Sequence, residues 1–154
     1  MLMSLLGRPT DRAQAKKLFL VHRNPAAYPG ASLDDIRQIL IGTGTFSLVS
    51  WLHFDSMSTE LISKRLRARI GIALPTVISF GIVHPTLKIR SRHTAVLLSA
   101  SNESIELLDP LARPPDGKSA GNVAVEASGH VVGSSYLIDR RAAVAMLDWR
   151  ARAA

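Results

Sequence analysis

His93 and Asp109 are the residues of this chain whose types and spacing best suit chemistry. An imidazole exchanges protons near neutral pH. A carboxylate beside it fixes its tautomer and stabilises its protonated form, which is the pairing of base and orienting group in nucleophilic hydrolases. The two residues end two strand-like runs, His93 to Ala100 and Ser104 to Asp109, around a polar turn. With Ala100-Ser101-Asn102 as a three-residue loop and Asn102 left-handed, Ser99 pairs with Glu103 and the register carries His93 opposite Asp109. Opposed residues share a face with Cβ atoms about 5 Å apart. That face sends Ala95, Leu97, Ile105 and Leu107 toward a core and ends in the imidazole and the carboxylate. A two-residue loop would instead set Pro110 opposite His93 and turn Asp109 to the other face. A plainer reading also stands: His93 opens a strand, and Asp109 before a proline starts a turn.

A platform for this hairpin is written in the order of elements. Met1, Leu2, Leu5 and Leu6 repeat like the rear of a helix that Gly7 and Pro9 stop. Thr10 or Asp11 caps a second helix through Val21, which Asn24-Pro25 ends. Ser32 caps a third, with Leu33, Ile36, Leu40 and Ile41 on one stripe and Asp34 and Asp35 in the first turn; Gly42-Thr43-Gly44 terminates it. After an apolar segment from Phe46 to Leu52, Ser58 or Thr59 opens a fourth helix that places Leu61, Ile62, Leu66 and Ile70 on one side. Beyond Pro75 the period changes. Thr76 to Val83, the two hairpin runs, Asn122 to Glu126 and His130 to Val132 are short, β-branched and bounded by turn residues, hence strands. Asp139 caps a last helix carrying Ala143, Met146, Leu147 and Arg150, with Trp149 alongside. Helices followed by an antiparallel sheet predict an α+β domain with the helices packed on one face of the sheet.

In this order the chain resembles the papain-like cysteine peptidase domains of the bacteriocin-processing, double-glycine-leader type. The resemblance rests on Gly30-Ala31-Ser32-Leu33-Asp34-Asp35-Ile36 and on Leu66 to Ile70 leading into Gly71-Ile72-Ala73-Leu74-Pro75-Thr76-Val77-Ile78. It continues through His93-Thr94-Ala95-Val96-Leu97 and Ile105-Glu106-Leu107-Leu108-Asp109-Pro110, and covers roughly residues 1 to 111. It implies a papain-like fold, hydrolysis of peptide bonds, His93 as the base that activates a thiol and Asp109 as its orienting group. It also implies a Cys, and a Gln just before it, at the start of the first helix. Met1-Leu2-Met3-Ser4-Leu5-Leu6 matches later turns of that helix, so the resemblance implies a chain truncated at its N-terminus. Ser4 is the only hydroxyl near that point and lies in an apolar helical stretch without an oxyanion hole behind it.

Composition narrows the function further. The 154 residues, 47% hydrophobic and 20% charged, fit one globular domain over 1–154. There is no cysteine, which excludes disulfides, thiolate metal sites and a cysteine nucleophile within this sequence. His22, His53, His84 and His130 lack zinc-type spacing, apart from His53-Phe54-Asp55, so no metal or other cofactor is expected. Gly42-Thr43-Gly44-Thr45-Phe46-Ser47 lacks the ending of a phosphate loop and reads as a helix terminator. The net charge of +7 is scattered, and Arg65, Arg67 and Arg69 fit the wet face of the fourth helix. Without stacking aromatics nearby, nucleic acid is disfavoured as a partner; salt-dependent retention of random DNA would be its signature. Ile70 to Val83, broken by Gly71 and Pro75, is shorter than the roughly 18 residues of a membrane span, and Met1 to Leu6 has no signal-peptide features. These observations predict a cytoplasmic protein. It is either a peptidase-like domain inactive as written, or a pseudoenzyme that binds a peptide or protein without cleaving it.

Overall fold

The computed structural model describes residues 11, 13, 14, 16, 17, 20, 32–68, 73–112 and 121–152. The expected helix over Met1 to Leu6, Ser4 included, lies outside them. In the second helical stretch Ala13, Gln14, Lys16, Lys17 and Leu20 are helical, and the Gln14 N–H donates to Asp11 Oδ1 at 2.7 Å. Asp11 is therefore the cap.

Helix α1 (Leu33–Gly42) begins where its capping chemistry places it. The Asp35 N–H donates to Ser32 Oγ at 3.1 Å and the Ser32 N–H donates back to Asp35 Oδ2 at 2.8 Å, a reciprocal capping box. It ends at Thr43, and Gly44 adopts φ +71°, a left-handed conformation that glycine takes without cost. The Gly42-Thr43-Gly44 stretch is thus a helix terminator. Helix α2 (Thr59–Ala68) opens with the Leu61 N–H donating to Ser58 Oγ at 3.3 Å. Its inner side is Thr59, Ile62 and Ser63 with half-buried Leu66. Leu61 faces solvent, and Lys64, Arg65 and Arg67 are exposed.

The described strands are β1 (Phe46–Phe54), β2 (Thr76–Val83), β3 (Arg90–Ala100), β4 (Ser104–Asp109), β5 (Gly121–Glu126), β6 (Val131–Val132), β7 (Leu137–Ile138) and β8 (Val144–Ala151). They form one antiparallel sheet in the order β1-β8-β2-β3-β4-β5-β6, with β7 paired to the end of β2. β2 to β6 is a meander, and β8 closes the gap between β2 and β1. The fold is therefore α+β in the coarse sense of short helices on a mostly antiparallel sheet.

Two sequence expectations are corrected here. Asp139 caps no helix: residues 144–151 are β8, hydrogen-bonded to β1 on one side and β2 on the other. Ala, Met and Leu are good helix formers, but a run buried on both faces shows no alternation, and pairing with two neighbours outweighs propensity. Trp149 packs edge-on to Phe46 at 5.3 Å and its Nε1–H donates to the Pro75 carbonyl at 3.1 Å. The described helices also do not share one face of the sheet. Adjacent strand residues point oppositely. Val77, Val96 and Leu147 form one buried cluster with Leu40 of α1, whereas Ile78, Ala95, Leu97 and Met146 form another with Ile62 of α2.

The close approach of β2 to the turn before β8 needs a glycine. A Cβ at Gly81 would lie 2.2 Å from the Cβ of Ala142, and the Asp139 N–H donates to the Gly81 carbonyl at 2.9 Å. Gly81→Ala is expected to destabilise the fold by about 1–3 kcal/mol. Urea unfolding measures this loss, and Ala142→Gly in the same chain should restore most of it.

Candidate active site

The hairpin that carries the site differs in register from the simplest reading of its sequence. Ala100 pairs with Ile105 and Ser99 with Glu106, so the turn is longer than three residues and Ser99 does not meet Glu103. A bulge between Leu97 and Ser99 then sets Leu97 opposite Leu107 and Val96 opposite Leu108. That extra residue decides which face each side chain takes. Without it the strands would meet one residue out of step and their apolar sets would face opposite ways. With it, Ala95, Leu97, Ile105 and Leu107 all enter one buried cluster, the face expected from the sequence. Continued, this register puts Asp109 nearest Ala95, so His93 reaches it diagonally, a distance long side chains span.

The reach is complete. His93 Nε2 lies 2.7 Å from Asp109 Oδ1. The Leu111 N–H donates to the same oxygen at 2.7 Å, and the Tyr136 hydroxyl donates to Oδ2 at 2.5 Å. Asp109 is fully buried and the His93 side chain keeps 10% of its surface exposed. The imidazole sits between two rings, Phe80 edge-on at 5.5 Å and Tyr136 at 5.4 Å.

Burial pushes the Asp109 carboxyl upward. The hydrogen bonds from His93, Tyr136 and the Leu111 amide, with the attraction of the imidazole's charge, outweigh it and hold Asp109 below the ordinary carboxylate value. Burial, and then the carboxylate it serves, raise the Tyr136 phenol, which stays a donor. An ionised carboxylate only accepts hydrogen bonds, so Nε2 carries the proton and Nδ1 of the neutral ring holds the free lone pair. Among the described residues no hydrogen bond reaches Nδ1. The site can take a proton at Nδ1 while Asp109 steadies the cation formed.

A depressed carboxyl contributes stability that is present above its unfolded value and lost as pH falls through its folded one. The parent protein is expected to exceed Asp109→Asn in stability at neutral pH, to begin losing that advantage as the pH falls past the ordinary carboxylate value, and to converge with the variant only below the lowered value of the folded state. Urea midpoints across that range measure the difference; a constant gap would show that the carboxyl does not titrate with folding.

The structure thus brings together the two residues singled out by sequence. Tyr136 is the member that sequence reasoning missed. It lies 27 residues beyond Asp109 in Gly133-Ser134-Ser135-Tyr136, and its one signal is that a buried phenol needs a polar partner. Of the other histidines, His53 and His130 are exposed, and the Leu87 N–H donates to His84 Nδ1 at 3.1 Å within a turn; His22 lies outside the described residues. No group of three or more potential metal ligands occurs among the described residues. No described helix is long and apolar enough to cross a membrane. Beside the site, Pro110, Leu111, Gly133, Ser134 and Ser135 line a cavity of about 500 Å³. No family model, no curated protein and no solved structure matches this chain.

Proposed function

We propose that this chain is a papain-like cysteine peptidase domain that carries the base and orienting group of the reaction but not its nucleophile. The observation that carries the reading is the buried carboxylate on His93 Nε2, which leaves the ring's lone pair on Nδ1, where no described residue is hydrogen-bonded. In that reading a thiol gives its proton to Nδ1, the thiolate attacks a peptide carbonyl, and the imidazolium returns the proton to the leaving amine. Asp109 holds the ring and favours its cation. The absence of any cysteine means that the chain supplies no such thiol and hydrolyses no peptide by this route.

The same absence favours a second reading, a pseudoenzyme that holds an extended peptide without cutting it. The two readings share the site and differ in what stands at Nδ1. Histidine ¹⁵N spectra of the chain test their common premise: His93 is expected in the Nε2–H tautomer, with its Nδ1 signal shifted when an extended peptide is titrated. A protonated Nδ1 in the neutral ring would end the peptidase reading. Calorimetry with the same peptides separates a binding module from a domain that binds nothing.

A further inference from the structure

We propose that Tyr136 is a positioning residue for His93: its hydroxyl pins Asp109 Oδ2, which keeps Oδ1 on Nε2 and reserves Nδ1 for the reaction partner. The inference rests on the reading of His93 as a base and adds a third residue from a part of the chain outside the recognised motifs. Geometry argues for it. The terminal torsion of an aspartate is broad and nearly two-fold, so a carboxylate held at one oxygen can rotate. Oδ1 already receives both His93 and the Leu111 amide, and rotation would let the amide keep one oxygen while the imidazole lost its partner. Tyr136 supplies the hydrogen bond on the other oxygen.

The phenol is itself held. Tyr136 is buried, its N–H donates to Ser134 Oγ at 3.4 Å, and that hydroxyl donates back to the Tyr136 carbonyl at 3.2 Å. Its ring lies 6.1 Å from Phe80 and 5.4 Å from the imidazole. One side chain therefore supports the imidazole twice, through ring contact and through the carboxylate. Only the second of these depends on the hydroxyl.

Tyr136→Phe keeps the ring and removes the hydroxyl. In this variant the Asp109 carboxyl titration, followed by ¹³C NMR, should move upward. The hydrogen-bonded His93 Nε2–H signal should be lost to solvent exchange while the fold persists. Uniform replacement of tyrosine by 3-fluorotyrosine changes only Tyr28 and Tyr136 and makes the phenol a stronger donor, so Asp109 should move downward. A packing role would not follow donor strength. Unchanged Asp109 and His93 signals in both chains would overturn the proposal and leave the dyad standing. Absence of the Nε2–H tautomer in the parent protein would overturn the base reading instead. Should Tyr136→Phe not fold, the fluorotyrosine chain decides alone.

Discussion

Asp109→Ala lowers the stability of the fold by about 3–5 kcal/mol, the range for removing one member of a buried ionic pair. The carboxylate is fully buried, and three donors converge on it: His93 Nε2, the Leu111 amide and the Tyr136 hydroxyl. Truncation removes the acceptor of all three, of which the Tyr136 hydroxyl is the buried one, and each buried polar group left unmatched costs about 1–3 kcal/mol. Part of that cost is recovered if His93 reaches solvent through its exposed edge, which keeps the total below the simple sum. Urea unfolding followed by the fluorescence of Trp51 and Trp149 measures the change. A loss under about 1 kcal/mol would mean that the donors find other partners and that the network does not hold the hairpin. Asp109→Asn should be milder, because its carbonyl still accepts. Its carbonyl can fill only one of the two oxygen places, so its NH2 group meets either the Tyr136 hydroxyl or Nε2, and in the second case the ring must take the opposite tautomer with the proton on Nδ1.

How much of this was legible in the sequence follows from what each signal measures. β2, β3 and β4 could be read because β-branched residues cluster between turn residues, and the face of the hairpin because alternation is local. The register could not: the longer turn over Ser101–Ser104 and the bulge at Leu97/Ser99 are choices that these residues do not advertise. Either departure alone, being odd, would have moved Asp109 to the wrong side; here the two combine to an even shift, and the shared face survives. β8 was misread because Val144–Trp149 is buried throughout, so its apolar run carries no period of two. β1 suffered similarly, with Val49 and Trp51 serving one cluster and Leu52 and Phe54 the other. Tyr136 is invisible for a different reason. Its partner is distant in sequence, and no local pattern encodes a hydrogen bond from the loop before β7 to the end of β4.

The largest effect expected of the site is on catalysis in a chain that also carries the thiol. An N-terminal extension that supplies the Gln and Cys implied by the resemblance should hydrolyse an extended peptide, and His93→Ala in that chain should slow the reaction by about 10²–10⁴-fold. A thousandfold loss corresponds to about 4 kcal/mol of barrier. Asp109→Asn should follow, since a neutral amide no longer stabilises the imidazolium and, where its NH2 group faces Nε2, inverts the tautomer; the analogous change in a serine hydrolase costs about 10⁴-fold. Tyr136→Phe should rank last, acting through the carboxylate alone. The order matters more than any single rate. If the losses were unequal in another order, with Asp109→Asn harmless, the carboxylate would be a structural anchor of the hairpin and His93 would work without it. If His93→Ala left the rate unchanged, the imidazole would be no base at all, and its buried partners would describe only how β3 and β4 pack within the sheet.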